Sequence, residues 1–276
     1  MRWETLASGY GLVEGPTVDA VGGLYFSDVL GGGVYRLAPD GQVETVVPKR
    51  RGVGGIALHA DGGLVLSGRD LVHVRDGETR VLYAIDGLPG WNDLCTDRSG
   101  RVYAGALRFM VFDQGADPVA GECWRIEAEG EATALYGGIV HANGVALSTD
   151  EARIYHSDTR RGVVVVHDLT AGGTAMGRRE WSMPAGQPDG MALDEDGCVW
   201  VAAVGAGSVV RLTPDGECDR AIEVPASFVT SLCFGGDDLR DLCVTTADNA
   251  EHPEDRGSIF RTRVDVAGLP VCPATI

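Results

Sequence analysis

Along this chain short apolar runs alternate with Asp- and Gly-rich turns, and the 3.6-residue spacing of an amphipathic helix is nearly absent. One unit recurs: a small residue, an apolar stretch, a polar turn, then a strongly β-forming strand. Its six copies pair residues 15–19 with 24–28, 55–58 with 64–67, 93–97 with 102–105, 144–147 with 154–158, 190–193 with 199–202 and 231–234 with 242–245. Repetition on this scale speaks for the architecture more strongly than any single segment does.

In several copies a third strand follows and ends in Pro-Asp-Gly. Residues 33–37 lead into Pro39, Asp40 and Gly41, and Ser208–Leu212 leads into Pro214, Asp215 and Gly216. A fourth strand then completes the unit, as over Val43–Val47. Four strands per unit, repeated six times, predict an all-β, six-bladed β-propeller with antiparallel blades. A sandwich would not repeat one four-strand unit. The array must also close. Residues 5–12 precede the first copy and 258–264 form the last strand, so the N-terminal segment is expected to supply the outer strand of the final blade. The whole chain, 1–276, reads as one propeller domain.

Composition agrees with this pattern. Gly accounts for 40 of 276 residues, well above the roughly 7% of average usage, and is spread through tight turns of the kind short strands need. A chain of this length buries about 75% of the surface it would expose unfolded, so a core needs no staples. Cys95, Cys123, Cys198, Cys218, Cys233, Cys243 and Cys272 are odd in number and include no Cys-x-x-Cys pair, which argues against disulfides and thiolate metal sites. Cys95, Cys198, Cys233 and Cys243 lie in apolar runs, where a free thiol packs as a small hydrophobe.

Acidic residues outnumber Lys and Arg by 40 to 23, a formal net charge of −17. Such a surface repels phosphate backbones and anionic lipid, so neither nucleic acid nor membrane is an expected partner. No apolar run approaches the ~18 residues of a transmembrane helix. The N-terminus lacks the apolar region of a signal peptide, and a cytoplasmic location is expected.

The candidate chemistry sits just before the first strand of each copy. Glu14, Gly54, Asn92 and Asp189 lie ten positions ahead of Leu24, Leu64, Val102 and Val199, while Asn143 lies eleven ahead of Ile154 and Thr230 twelve ahead of Leu242. First strands line the central channel of a propeller, so these positions converge on one axis. Four of the six carry carboxylate or amide oxygens, which suit a hard divalent cation. Glu14 and Asp189 would balance its charge and Asn143 would add a neutral oxygen, leaving positions for water and substrate. Asn and Asp also favour turns before strands, but turn preference does not account for their convergence.

Glu14-Gly15-Pro16, Asn92-Asp93, Asn143-Gly144 and Pro188-Asp189-Gly190-Met191 occur in that order, and Gly257-Ser258-Ile259-Phe260-Arg261 follows near the end. Together they resemble the motifs of the senescence-marker-protein-30/gluconolactonase family over nearly the whole chain. The resemblance implies a calcium-dependent, lactonase-like propeller with Glu14, Asn143 and Asp189 as metal ligands. It implies that Asn92 faces the metal through substrate or water, and that the substrate is a small molecule, a sugar-acid lactone opened by hydrolysis. Ca²⁺ is the first expectation for the single divalent cation, with Zn²⁺, Mn²⁺ and Mg²⁺ as alternatives.

Within that frame Asp189, Asn92 and Asp93 are the expected catalytic residues. The ion would polarise the ring carbonyl, Asn92 would orient the lactone, and Asp189 or Asp93 would take the proton of attacking water. Family members acting on aldonolactones commonly carry Arg two residues before this Asn, where this chain has Gly90. A less hydroxylated ring is therefore expected, with Trp91 and Arg108 as substrate contacts. His141, two residues before Asn143, is a candidate base or a group behind the ligands. Residues 113–122 are expected to form a loop over the channel mouth, and Asp248, Asn249 and 251–255 a solvated polar loop. No Gly-x-Ser-x-Gly elbow is present, which argues against a serine hydrolase. Two alternatives use the same fold. One is another reaction at the metal, such as organophosphate hydrolysis or a biosynthetic ring rearrangement; the other is a non-enzymatic, ligand-binding propeller.

Overall fold

The computed structural model of the chain describes residues 1–247, 253 and 256–276. Of the expected polar loop, Asp248, Asn249 and all of 251–255 except Pro253 lie outside the described residues.

Six separate antiparallel sheets of four strands make a six-bladed propeller. The N-terminal strand β1 (Glu4–Tyr10) belongs to the last blade. Blade 1 holds β2 (Val13–Val18), β3 (Leu24–Asp28), β4 (Val34–Leu37) and β5 (Val43–Val47), and blade 2 holds β6 (Ile56–Leu58), β7 (Leu64–Leu66), β8 (Leu71–Arg75) and β9 (Glu78–Tyr83). Blade 3 holds β10 (Gly90–Thr96), β11 (Val102–Leu107), β12 (Gly121–Ile126) and β13 (Ala132–Ile139). Blade 4 holds β14 (Ala142–Leu147), β15 (Arg153–Asp158), β16 (Val163–Leu169) and β17 (Ala175–Ser182). Blade 5 holds β18 (Gln187–Leu193), β19 (Val199–Val204), β20 (Ser208–Leu212) and β21 (Cys218–Glu223), and blade 6 holds β22 (Val229–Gly235), β23 (Asp241–Thr246) and β24 (Gly257–Arg263).

The ring closes as the sequence predicts. β1 runs antiparallel to β24, with Glu4 opposite Arg261 and Tyr10 opposite Gly257. The innermost strands β2, β6, β10, β14, β18 and β22 each touch the next, and β22 returns to β2. Inner strands are buried on both faces, whereas the outer strands β5 and β17 are largely exposed. Apolar layers between blades hold the ring together: Trp200, Leu232, Phe234 and Phe260 form one, Leu71, Trp91, Val102 and Ile126 another. Full burial of a side chain of Leu or Phe size contributes about 1.5–3 kcal/mol, so these layers dominate the fold's stability. All seven cysteines are free, and Cys198, Cys233 and Cys243 are buried as expected, with Cys95 half-buried.

Two short 3₁₀ turns, Ala128–Gly130 and Thr159–Arg161, are the helical elements among the described residues. No helix among them is long and apolar enough to cross a membrane. After β24, residues 265–276 cross the end of the channel where the first strands finish. Leu269 donates its amide to Leu193 O at 2.9 Å and Ala274 to Leu58 O at 2.8 Å, and Arg80 Nη2 donates to the Ile276 main-chain oxygen at 2.8 Å. That end is covered by the tail; the other carries the candidate site.

Candidate metal centre

Glu14, Asn92, Asn143 and Asp189 share one irregularity of the fold. Pairing between first and second strands slips between Glu14 and Thr17, Trp91 and Leu94, Ala142 and Val145, and Pro188 and Met191. Blade 6 slips between Val229 and Ser231, around Thr230. A bulge re-aims side chains that a regular strand would send into the blade faces. Blade 2 has only Gly54 at this position, and a Cβ there would stand 2.0 Å from Asn92 Oδ1. The missing side chain of one blade thus makes room for the amide of the next. Gly15 follows Glu14 at φ +58°, with Ile56 Cγ1 3.0 Å from where its Cβ would lie, so both backbone and space require glycine.

A layer of buried polar groups fixes these bulges. Asp158 accepts the amides of Val140 (2.8 Å) and His141 (3.1 Å), just ahead of Asn143. Asp28 does the same for Gly11 (3.0 Å) and Leu12 (3.4 Å), ahead of Glu14. Ser157 Oγ donates to Asp189 O at 2.7 Å, and Thr159 Oγ1 donates to Pro188 O at 2.7 Å. The first-strand pattern does not single these residues out; their signal in the sequence is the Ser-Asp pair closing the second strand in copies one and four, Ser27-Asp28 and Ser157-Asp158.

The oxygens that face the channel fit a hard divalent cation. Glu14, Asn143 and Asp189 are 6%, 6% and 5% exposed. Burial, then the charges of Asp189 and Asp93, push the Glu14 carboxyl well above its ordinary range. Burial and the charge of Asp93 do the same to Asp189. Asp93 itself is pushed up to about 7 by burial, against the backbone amides of Leu94 and Val145. Asp189 Oδ1 is buried with no hydrogen-bond partner. Asn143 Nδ2 donates away from the channel to Thr159 Oγ1 at 3.2 Å, and Asn92 Nδ2 donates to Ala142 O at 2.8 Å, which leaves both amide oxygens free. Mutually repelling carboxyls, an orphaned oxygen and two free amide oxygens are what a divalent ion would satisfy. No group of three His, Cys, Asp or Glu side chains is arranged as metal ligands among the described residues. The set that fits takes its third donor from an amide.

The remaining expectations divide. Trp91 does not wall the channel: it is 1% exposed and its ring packs against Tyr83 and Trp124 in the layer between blades 2 and 3. The slip begins after Trp91, which still pairs regularly with Ala106 and therefore points into the blade face. Arg108 lies at the site's end of blade 3, but Glu122 holds its Nε at 2.9 Å. The His141 ring meets Phe109 edge-on, centroids 6.5 Å apart, and burial chiefly lowers its pKa, so it is neutral at pH 7. Of the expected loop 113–122, residues 113–120 are irregular, within a stretch from 108 that exposes Met110, Phe112 and Val119, whereas Gly121 and Glu122 already belong to β12. Beneath the ligands a cavity of about 430 Å³, lined by Asp93, Leu94, Leu147, Met191 and Phe234, is covered by the tail at 269–272.

The sequence profile of the SMP-30/Gluconolactonase/LRE-like region matches residues 12–248. The chain is 34% identical over 263 residues to a 6-deoxy-6-sulfogluconolactonase of Pseudomonas putida, covering 89% of this chain and 88% of that protein. It is 30% identical over 265 residues to a pentonolactonase of Haloferax volcanii, covering 90% and 88%. The fold superposes with a TM-score of 0.86 on a calcium-binding regucalcin of Agrobacterium tumefaciens, at 24% identity over 99% of this chain and 97% of that one. This chain belongs to the SMP-30/gluconolactonase/LRE-like family.

Proposed function

We propose that this chain is a divalent-metal-dependent lactonase, which opens a sugar-acid lactone by adding water to the ring ester. The observation that carries the reading is the pair of buried, mutually repelling carboxyls Glu14 and Asp189 at equivalent positions of two blades, with the half-buried Asp93 beside them and Asp189 Oδ1 unpartnered. Relatives named for sulfogluconolactone and pentonolactone support the substrate class, and a neighbour described as calcium-binding supports Ca²⁺ as the ion.

Glu14, Asn143 and Asp189 hold the ion in this reading. When bound, it would supply Lewis-acid polarisation of the ring carbonyl and charge stabilisation for the developing oxyanion. Asn92 Oδ1, free to accept, orients the lactone through a ring hydroxyl or an intervening water. The carboxylate of Asp189 or of Asp93 takes the proton of the attacking water. The same carboxyl then returns the proton to the ring oxygen as the ester bond breaks. Burial of Glu14 and Asp189 keeps bulk water from these carboxyls and strengthens each interaction.

Gly90 removes a charged donor for substrate hydroxyls, which favours fewer hydroxyls on the ring. Trp91, expected as a substrate contact, is withdrawn into the core and offers the ring no apolar surface. The test is a matrix of divalent ions against lactones on chelator-treated protein, with phosphotriesters alongside. Metal-restored turnover confined to lactones supports the reading. Turnover confined to phosphotriesters, or none with any ion, contradicts it.

A further inference from the structure

Thr230 holds the place of blade 6 in the ring of Glu14, Gly54, Asn92, Asn143 and Asp189, yet blade 6 supplies none of the proposed ligands. The residue is fully buried, and its side chain turns to the neighbouring blade. Thr230 Oγ1 donates at 2.6 Å to Val13 O, the carbonyl just before Glu14. That bond uses its only proton, so in the 2.9 Å contact between Thr230 Oγ1 and Thr245 Oγ1 the donor is Thr245. Thr245, also fully buried, lies on β23 opposite Ser231. Two hydroxyls in series thus end on the backbone that carries Glu14, and each bond polarises the next.

This bond belongs to a set. The carbonyl just before the ring position also accepts a side-chain donor from the preceding blade at three other junctions. Ser27 Oγ donates to Val53 O at 2.5 Å, Asn92 Nδ2 to Ala142 O at 2.8 Å and Thr159 Oγ1 to Pro188 O at 2.7 Å. Blade 6 differs in what stands on its two sides. Its inner strand β22 packs between β2, which carries Glu14, and β18, which carries Asp189. On the β18 side a Cβ on Gly190 would fall 2.0 Å from Ser231 Oγ and 2.7 Å from Ser231 Cα. The backbone that follows Asp189 therefore rests directly on Ser231, next to Thr230. Blade 6 is the spacer between two carboxyls close enough for the charge of Asp189 to act on Glu14.

We propose that Thr230 is a positioning residue: with Ser231 seated against Gly190, its hydroxyl fixes how far Glu14 stands from Asp189, and with that the affinity of the site for its divalent ion. This rests on the metal reading and gives a role to the one ring position that reading left without any. Two like charges with no ion between them move apart unless the backbone beneath them is held. A site already held at its bound spacing needs no reordering when the ion arrives, so rigidity appears as affinity. Thr230 does this without touching the ion, because Val13 O and Thr245 Oγ1 engage its hydroxyl.

The test is calorimetric titration of chelator-treated protein with Ca²⁺, on wild type, Thr230→Val, Thr230→Ser and Thr262→Val. Thr262 controls for lost stability alone: it is a buried threonine of the same blade whose Oγ1 donates to Arg2 O at 2.9 Å, at the end of β24 away from the site. Thr230→Val should weaken Ca²⁺ binding by about 10–100-fold, as loss of a group behind metal ligands does. Thr230→Ser keeps the hydroxyl and should bind as wild type does. Thr262→Val should unfold at lower urea yet bind Ca²⁺ unchanged. Wild-type affinity in Thr230→Val, an equal loss in Thr262→Val, or no rescue by serine overturns the role. If Thr230→Val does not fold, Thr245→Val, which removes the second hydroxyl, decides on the same terms. Wild type that binds no ion ends the metal reading and this role together. Wild type that binds Ca²⁺ but opens no lactone, with Thr230→Val still weakened, ends the lactonase reading alone and leaves Thr230 its role.

Discussion

Asn143 donates its side-chain nitrogen to Thr159 Oγ1 at 3.2 Å, and Thr159 in turn donates to Pro188 O at 2.7 Å. One hydroxyl therefore orients the amide of blade 4 and anchors the backbone beside Asp189 of blade 5. Two of the three proposed ligands are coupled through a residue that touches neither substrate nor ion.

Thr159→Val keeps the shape and removes both hydrogen bonds. We expect divalent affinity to fall by about 10–100-fold, the usual consequence of losing a group behind metal ligands. Calorimetric titration of chelator-treated protein reads this directly. Wild-type affinity in the variant would detach Thr159 from the site.

Trp91 separates packing from chemistry. Trp91→Ala should cost about 3–5 kcal/mol of stability, as large aromatic truncations in cores do, read by urea denaturation. Trp91→Phe, which keeps most of the contact with Tyr83 and Trp124, should leave KM for the lactone unchanged. A raised KM in the Phe variant would return the ring to the substrate pocket.

These two residues show what the sequence could and could not reveal. Glu14, Asn92, Asn143 and Asp189 were legible because six repeats in register place equivalent positions on one axis, whatever the local geometry. Trp91 adjoins Asn92 in the chain yet points elsewhere, because the pairing slips only after it. That slip has no compositional mark. The role of Thr159 depends on contact between neighbouring blades, which no single repeat encodes. Residues 265–276 lack strand periodicity because their amides bond to the ends of first strands and to turns, not to a partner strand of their own.

Burial holds the His156 imidazole neutral, lowering its pKa to about 3, with His167 and Arg178 adding smaller repulsions. A base whose folded pKa lies below its unfolded value of about 6.5 contributes stability above that pH and loses it on acidification. Below pH 6.5, and down to about 3, the unfolded chain gains a proton there that the folded chain refuses. Wild type should therefore lose about 1.4 kcal/mol more per pH unit than His156→Gln over this window. Urea unfolding at pH 6.5, 5.5 and 4.5 gives both slopes, and parallel slopes would contradict the assignment.

The central claim is that Glu14 and Asp189 hold a catalytic divalent ion, and calorimetric titration of chelator-treated protein with Ca²⁺ tests it most directly. Wild type should bind one ion. Glu14→Gln and Asp189→Asn should each weaken that binding by more than the roughly 10–100-fold expected for residues behind the ligands, and lactone hydrolysis should fall with it. Affinity unchanged from wild type in both variants would contradict the account.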